Sequence, residues 1–232
     1  MSTVEAHSFR DRDSLFEALQ QHLVQNLNQA LSQRQRASLA VSGGSTPAPL
    51  YRELCRAELD WSKVTVTLTD ERYVPTSDKD SNEAMLKRTL LTENAATANF
   101  VPLMHESSSA EQAAAISHDL LQQLEFPLDT VILGMGNDMH TASLFPDAPE
   151  LAQAMSPAQQ QHCMALQPAS SPYPRLSMSL NTLLNSREII LLICGHDKQD
   201  TLDRAKIAHV AQAPIAAVLK QDATPVHIYW SP

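Results

Sequence analysis

Glycine is scarce in this chain, with five in 232 residues against an average near ~7% in globular sequences, so its placement is informative. Cysteine is scarce too. Cys55, Cys163 and Cys194 are odd in number, widely spaced and set in apolar surroundings, which argues against a disulfide framework and for reduced structural thiols in a cytosolic protein. No stretch approaches the ~18 apolar residues of a membrane span, and the opening MSTVEAHSFRDRD has no apolar core of the signal-peptide kind. The expectation is a soluble, cytoplasmic protein with no membrane partner. A lysine- or arginine-rich block is also missing: 17 basic residues face 26 acidic ones, for a net charge of −9. That field repels nucleic acid, so an anionic ligand must be small and held by a few placed cations. No repeat, low-complexity tract or linker interrupts the chain, and residues 1–232 suit a single α/β domain, which buries roughly 70–75% of its unfolded surface.

Four of the five glycines lie in two loops, Gly43–Gly44 in SGGSTP and Gly134/Gly136 in GMGNDMHTASLFP. Each loop follows a strand-like run, ASLAV (37–41) or DTVIL (129–133). A strand, a glycine turn and then a helix start present free backbone N–H groups to an anion, which predicts a phosphorylated small molecule as ligand.

Leu15, Phe16, Leu19, Leu23, Leu27 and Leu31 recur at helical spacing, predicting an amphipathic helix over 13–35 capped by Asp13 or Ser14. Helices are also predicted over 48–58, with Pro47 near the first position, and over 81–91, 110–124 and 196–210. KVTVTLTD (63–70), CMALQ (163–167), REIILLICG (187–195) and PVHIYW (225–230) read as further strands. Alternation of this kind predicts a mostly parallel, Rossmann-like open sheet with helices on both faces, and ligands of such sheets sit beyond the carboxyl ends of the strands. The segments SGGSTP, DERYVP, GMGNDMHTASLFP and Gly195–Lys198 should therefore meet at one edge.

SGGSTP lacks the lysine of a nucleotide-triphosphate loop. Its glycines admit a phosphate closely and Ser45 and Thr46 supply hydroxyls; the plain alternative is a tight turn with a capping residue. GMGNDM has Met139 where a dinucleotide fingerprint needs glycine, which argues against a nicotinamide cofactor. Within six positions, however, Asp138, His140, Thr141 and Ser143 combine an imidazole, a carboxylate and hydroxyls. That set suits a histidine general base oriented by an acid; alternatively Asp138 caps a turn and His140 is polar surface. Arg72 reads as a clamp for phosphate or carbonyl oxygen or as an ion pair with Asp70 or Glu71. Arg175 follows prolines that stiffen its backbone. Lys198 falls in the first turn of a helix, where a cation is unfavourable unless an anion is also present.

These segments in this order, with Ser81–Asn82 after DERYVP and Pro174–Arg175 further on, closely resemble the 6-phosphogluconolactonase family over nearly the whole chain. DMHTASLFP is the most specific piece, because the related glucosamine-6-phosphate deaminases carry a different run after the shared histidine. The resemblance implies the deaminase and ribose-5-phosphate isomerase type of fold and hydrolysis of a phosphorylated sugar lactone, with no cofactor and no metal; the histidines also lack metal-site spacing. It implies His140 as base, Asp138 as its support, Arg72 on the oxyanion or the phosphate, and Gly43, Gly44, Ser45, Thr46, Asn82, Thr141, Arg175 and Lys198 around the substrate. A monomer or weak homo-oligomer is expected. Asn137 and Met139 replace the family's glutamate and glycine, and a positive φ at 139 would strain methionine by ~1–2 kcal/mol. Two rivals remain: a sugar-phosphate isomerase or deaminase with Asp70 as base, and a non-catalytic sugar-phosphate sensor.

Overall fold

The computed structural model describes residues 4–232. In chain order the elements are β1 (Val4–Ser8), α1 (Arg12–Arg34), β2 (Ala37–Val41), α2 (Ala48–Leu54), β3 (Val64–Leu68), β4 (Asp70–Arg72), α3 (Asn82–Thr89), β5 (Asn99–Val101) and α4 (Ala110–Leu121). The second half holds β6 (Thr130–Leu133), α5 (Leu151–Ala154), β7 (Cys163–Leu166), β8 (Arg175–Met178), α6 (Leu180–Leu184), β9 (Ile189–Cys194), α7 (His196–Ile207), α8 (Ile215–Lys220) and β10 (Val226–Ser231). Seven strands pair in parallel in the order β1-β10-β9-β6-β2-β3-β5. Their central members, IILLIC and TVIL, are continuous apolar runs, as strands covered on both faces must be.

α1 lays a leucine stripe at four-residue spacing, Leu15, Leu19, Leu23 and Leu27, fully into the core, and packs on β2 and β10. Its cap is Asp11 rather than Asp13 or Ser14: Asp11 Oδ1 accepts from the Ser14 N–H at 2.8 Å, and Asp13 sits inside the first turn. α2 stops at Leu54, short of residue 58, because tertiary partners take its next carbonyls. Ala95 N–H bonds the Cys55 carbonyl at 3.1 Å, Asn94 the Arg56 carbonyl at 2.9 Å, and the Trp61 indole the Ala57 carbonyl at 3.1 Å. α4 and α7 likewise end three residues before their predicted limits.

Residues 163–166, expected in the parallel sheet, belong instead to a second, antiparallel sheet of order β4-β8-β7. Asp70–Arg72, expected at the end of the 63–70 strand and in the loop after it, and Arg175–Met178, where no element is predicted, are its other two strands, and α4 packs against β7 and β8. β1, β5 and α8 also escaped the periodicity reading. Among the described residues no helix is long and apolar enough to cross a membrane. The three cysteines are free, with Cys55 and Cys163 buried; burial pushes the Cys163 thiol up to about 12.

Candidate active site

The carboxyl ends of β2, β6 and β9 open onto one cavity of about 370 Å³, and the second sheet supplies its far wall through Asp70, Arg72 and Arg175. All four segments expected at one edge contribute to it. The first loop is pinned from below: Tyr51, fully buried on α2, donates its hydroxyl to the Ser42 carbonyl at 2.9 Å. Gly44 follows at φ +104°, a conformation that favours glycine. Gly43 is required for a different reason, since a Cβ there would lie 1.9 Å from Asn82 Oδ1.

The second loop folds into a compact turn, with Gly136 N–H donating to the His140 carbonyl and Met139 N–H to the Gly136 carbonyl, each at 3.0 Å. No helix follows, and Asp138 does cap the turn, its Oδ1 accepting from the His140 N–H at 3.3 Å. Its Oδ1 stands 2.5 Å from His140 Nδ1. Burial works against ionisation of Asp138, but the hydrogen bond and charge of His140 outweigh it and hold the carboxyl below its ordinary 3.8. A carboxylate only accepts, so Nδ1 carries the proton and Nε2 is left as the accepting nitrogen. The His140 ring stacks on Phe145, with centroids 3.9 Å apart, and the Arg175 guanidinium lies over the same ring, 5.4 Å from its centroid. Phe145 thus holds the His140 ring and the Arg175 guanidinium in a fixed relation. Sequence reasoning assigned it no role, although it lies within the most specific motif.

Arg72 and Arg175 face each other directly across β4 and β8. Like charges so placed repel, and both line the cavity. Burial lowers the pKa of Arg175 from its ordinary 12.5; Asp70 opposes that effect and the charge of Arg72 adds to it. The Arg72 Nε is buried with no hydrogen-bond partner among the described residues, and its Nη1 donates to the Asp80 carbonyl. Lys198, in the first turn of α7, donates to the Met135 carbonyl at 2.9 Å and borders the cavity. Three cations around one hollow, none in a salt bridge among the described residues, suit a dianion.

Not every expected residue reaches the hollow. Gly43, Gly44, Thr46, Asn82 and His140 line it. Ser45 opens onto a neighbouring depression with Arg52, Lys79 and Arg88. Thr141 is fully buried and its hydroxyl donates to the Gly134 carbonyl at 2.9 Å, a strut inside the loop. Asp70 lines the wall with its Oδ2 accepting from Ser143 at 2.6 Å. Glu71, beside it, is fully buried and accepts from the N–H groups of Arg72, Asn82 and Glu83 at 2.7–2.8 Å and from the Ser81 hydroxyl at 3.1 Å. Burial pushes the Glu71 carboxyl up, and those backbone donors only partly offset it.

A parallel sheet, a glycine loop and an imidazole–carboxylate pair beside clustered cations define a sugar-phosphate enzyme fold. The chain belongs to the family of glucosamine-6-phosphate isomerases and 6-phosphogluconolactonases, which it matches over residues 10–230. It is 42% identical over 227 residues to a 6-phosphogluconolactonase of Rhizobium meliloti, covering 97% of this chain and 98% of the relative. A 6-phosphogluconolactonase of Pseudomonas putida is 38% identical over 233 residues, covering 100% and 94%. In structure, the chain is similar to a 6-phosphogluconolactonase from Shewanella baltica, with a TM-score of 0.96, 38% identity and 99% and 98% of the two chains covered.

Proposed function

We propose that this chain hydrolyses 6-phospho-D-glucono-1,5-lactone to 6-phosphogluconate in the pentose phosphate pathway. The observation that carries this reading is the His140–Asp138 pair, 2.5 Å apart, at the wall of a cavity holding two facing arginines. His140 Nε2 takes a proton from water as the water oxygen attacks the C1 carbonyl. The C1–O bond of the ring then breaks and the same nitrogen returns the proton to the departing ring oxygen. Asp138 orients the ring and stabilises the imidazolium between these steps. Arg72 and Arg175 hold the phosphate together with the 43–46 loop, and Lys198 is the remaining cation near the base. We place the enzyme in the cytoplasm, a reading that the free cysteines suit, and expect a monomer or weak homo-oligomer.

Decay of fresh lactone, coupled to 6-phosphogluconate dehydrogenase and compared with the spontaneous background, tests the proposal. His140→Ala should lose about 10²-fold or more of the turnover while its circular dichroism is unchanged. Near-normal turnover in that variant removes His140 as base. Folded wild type that leaves the lactone untouched but exchanges a substrate C2 proton into deuterated water would instead favour an isomerase acting through Asp70.

A further inference from the structure

Away from the cavity, a second group of titratable side chains gathers on the sheet edge. Glu5 and His7, two residues apart on β1, project from one face of the strand. In the parallel register of β1 with β10, Glu5 lies opposite His227 and His7 opposite Tyr229. His7 Nε2 is 3.4 Å from His227 Nδ1, and Glu5 Oε2 is 3.6 Å from that same nitrogen. One potential ligand atom from each of the three residues falls within 4.8 Å of the other two. Pairing of the two ends of the chain thus assembles a donor set that local spacing had argued against.

Its dimensions select a metal class. Tetrahedral zinc, with bonds to nitrogen of about 2.0–2.1 Å, spaces neighbouring donors by about 3.4 Å, whereas an octahedral set at those bond lengths would need about 2.9 Å. The two separations from His227 Nδ1, 3.4 and 3.6 Å, lie close to the tetrahedral edge, and the Glu5–His7 separation, within 4.8 Å, shortens as the exposed carboxylate turns in. Two imidazoles and one carboxylate suit zinc and not calcium or magnesium, which take oxygen donors. The imidazoles are held in place: His7 and His227 stack with centroids 5.6 Å apart, and Tyr229 and His22 pack at 4.8 and 5.5 Å. Glu5 is 68% exposed, so its carboxylate is free to swing onto an ion arriving from solvent.

We propose that Glu5, His7 and His227 bind one zinc ion, with water as fourth ligand, and that the ion clips edge strand β1 to β10. The site is separate from the catalytic cavity. His227 lies near the start of β10, about 13 Å along the strand from Ser231, whose carbonyl meets Gly195 beside the cavity. An ion bound by the folded chain alone raises its stability by mass action without entering the reaction.

Calorimetric titration of the purified, chelator-treated full chain with zinc chloride tests the site. One equivalent should bind and raise Tm, and His7→Gln and His227→Gln should each weaken binding at least tenfold and abolish the Tm shift. Lactone turnover should be unchanged in both variants, and zinc binding unchanged in His140→Ala. Cobalt(II) added to wild type should give the intense visible bands of a tetrahedral centre, a readout that needs no variant; Glu5→Gln, at an exposed position, serves if a histidine variant fails to fold. No binding, octahedral cobalt spectra, or binding lost in His140→Ala and kept in His7→Gln would overturn the proposal.

Discussion

Gly136 makes room for the His140–Asp138 pair by having no side chain. A Cβ there would fall 2.2 Å from His140 Nδ1 and 2.4 Å from Asp138 Oδ1, so either the pair separates or the loop moves. Gly136→Ala should lower kcat by about 10–10²-fold, the scale of a 1 Å misplacement of a reacting group, while the circular dichroism spectrum is retained. Three residues on, Met139 has φ +67°, the strained conformation that the sequence flagged if the family's glycine position kept its geometry. The strain of roughly 1–2 kcal/mol is held by surrounding bonds: Met139 N–H reaches the Gly136 carbonyl at 3.0 Å, and the Met139 carbonyl accepts from Ile215 at 3.2 Å. The loop therefore reaches the glycine-like shape despite methionine, and His140 and Asp138 remain paired.

At the scale of elements, Glu71 is the rivet between β4 and α3. Each of its oxygens accepts two hydrogen bonds, Oε1 from Arg72 and Asn82 and Oε2 from Glu83 and Ser81. Two of the donors are the first two N–H groups of α3, which have no partner within the helix, and Ser81 also caps Ala84 at 3.0 Å. This single carboxyl orients the strand that carries Arg72 and the helix that carries Asn82. Glu71→Gln turns an amide NH₂ toward two N–H or O–H donors. We expect a stability loss of about 2–4 kcal/mol in urea unfolding, with a raised KM because Arg72 loses its anchor. An unchanged unfolding midpoint would mean that α3 and β4 are positioned by packing alone.

Across the whole molecule, Glu188 links elements that are distant in sequence. It accepts from Thr130 on β6 at 2.6 Å and from Asn26 on α1 at 2.7 Å, and pairs with His22 on α1 at 2.8 Å. Burial opposes its charge, but the His22, Thr130 and Asn26 hydrogen bonds outweigh burial and hold the carboxyl below its ordinary 4.5. A carboxyl depressed on folding contributes stability above its unfolded value and loses that contribution as pH falls through the folded one. Wild type should therefore lose unfolding midpoint as pH drops below about 4.5. Glu188→Gln should start less stable at neutral pH and show a shallower acid slope in urea titrations across the same window. Equal slopes would assign the acid sensitivity to other carboxylates.

The helices, most parallel strands and the loops at their carboxyl ends were legible in the sequence because their signals are local. A leucine every fourth residue or an apolar run before a glycine turn reflects backbone geometry within a few residues. The pairing of Asp138 with His140 was legible for the same reason, being two positions apart. Tertiary structure alone decided what meets across long separations. It set Arg72 opposite Arg175, turned Thr141 inward and packed both His140 and Arg175 against Phe145. It also placed residues 163–166, legible as a strand, in an antiparallel sheet with two segments whose patterns are too brief to read, and brought Glu5 and His7 onto His227. Strand register and side-chain packing are settled by burial against distant partners, and no window of neighbouring residues contains that information.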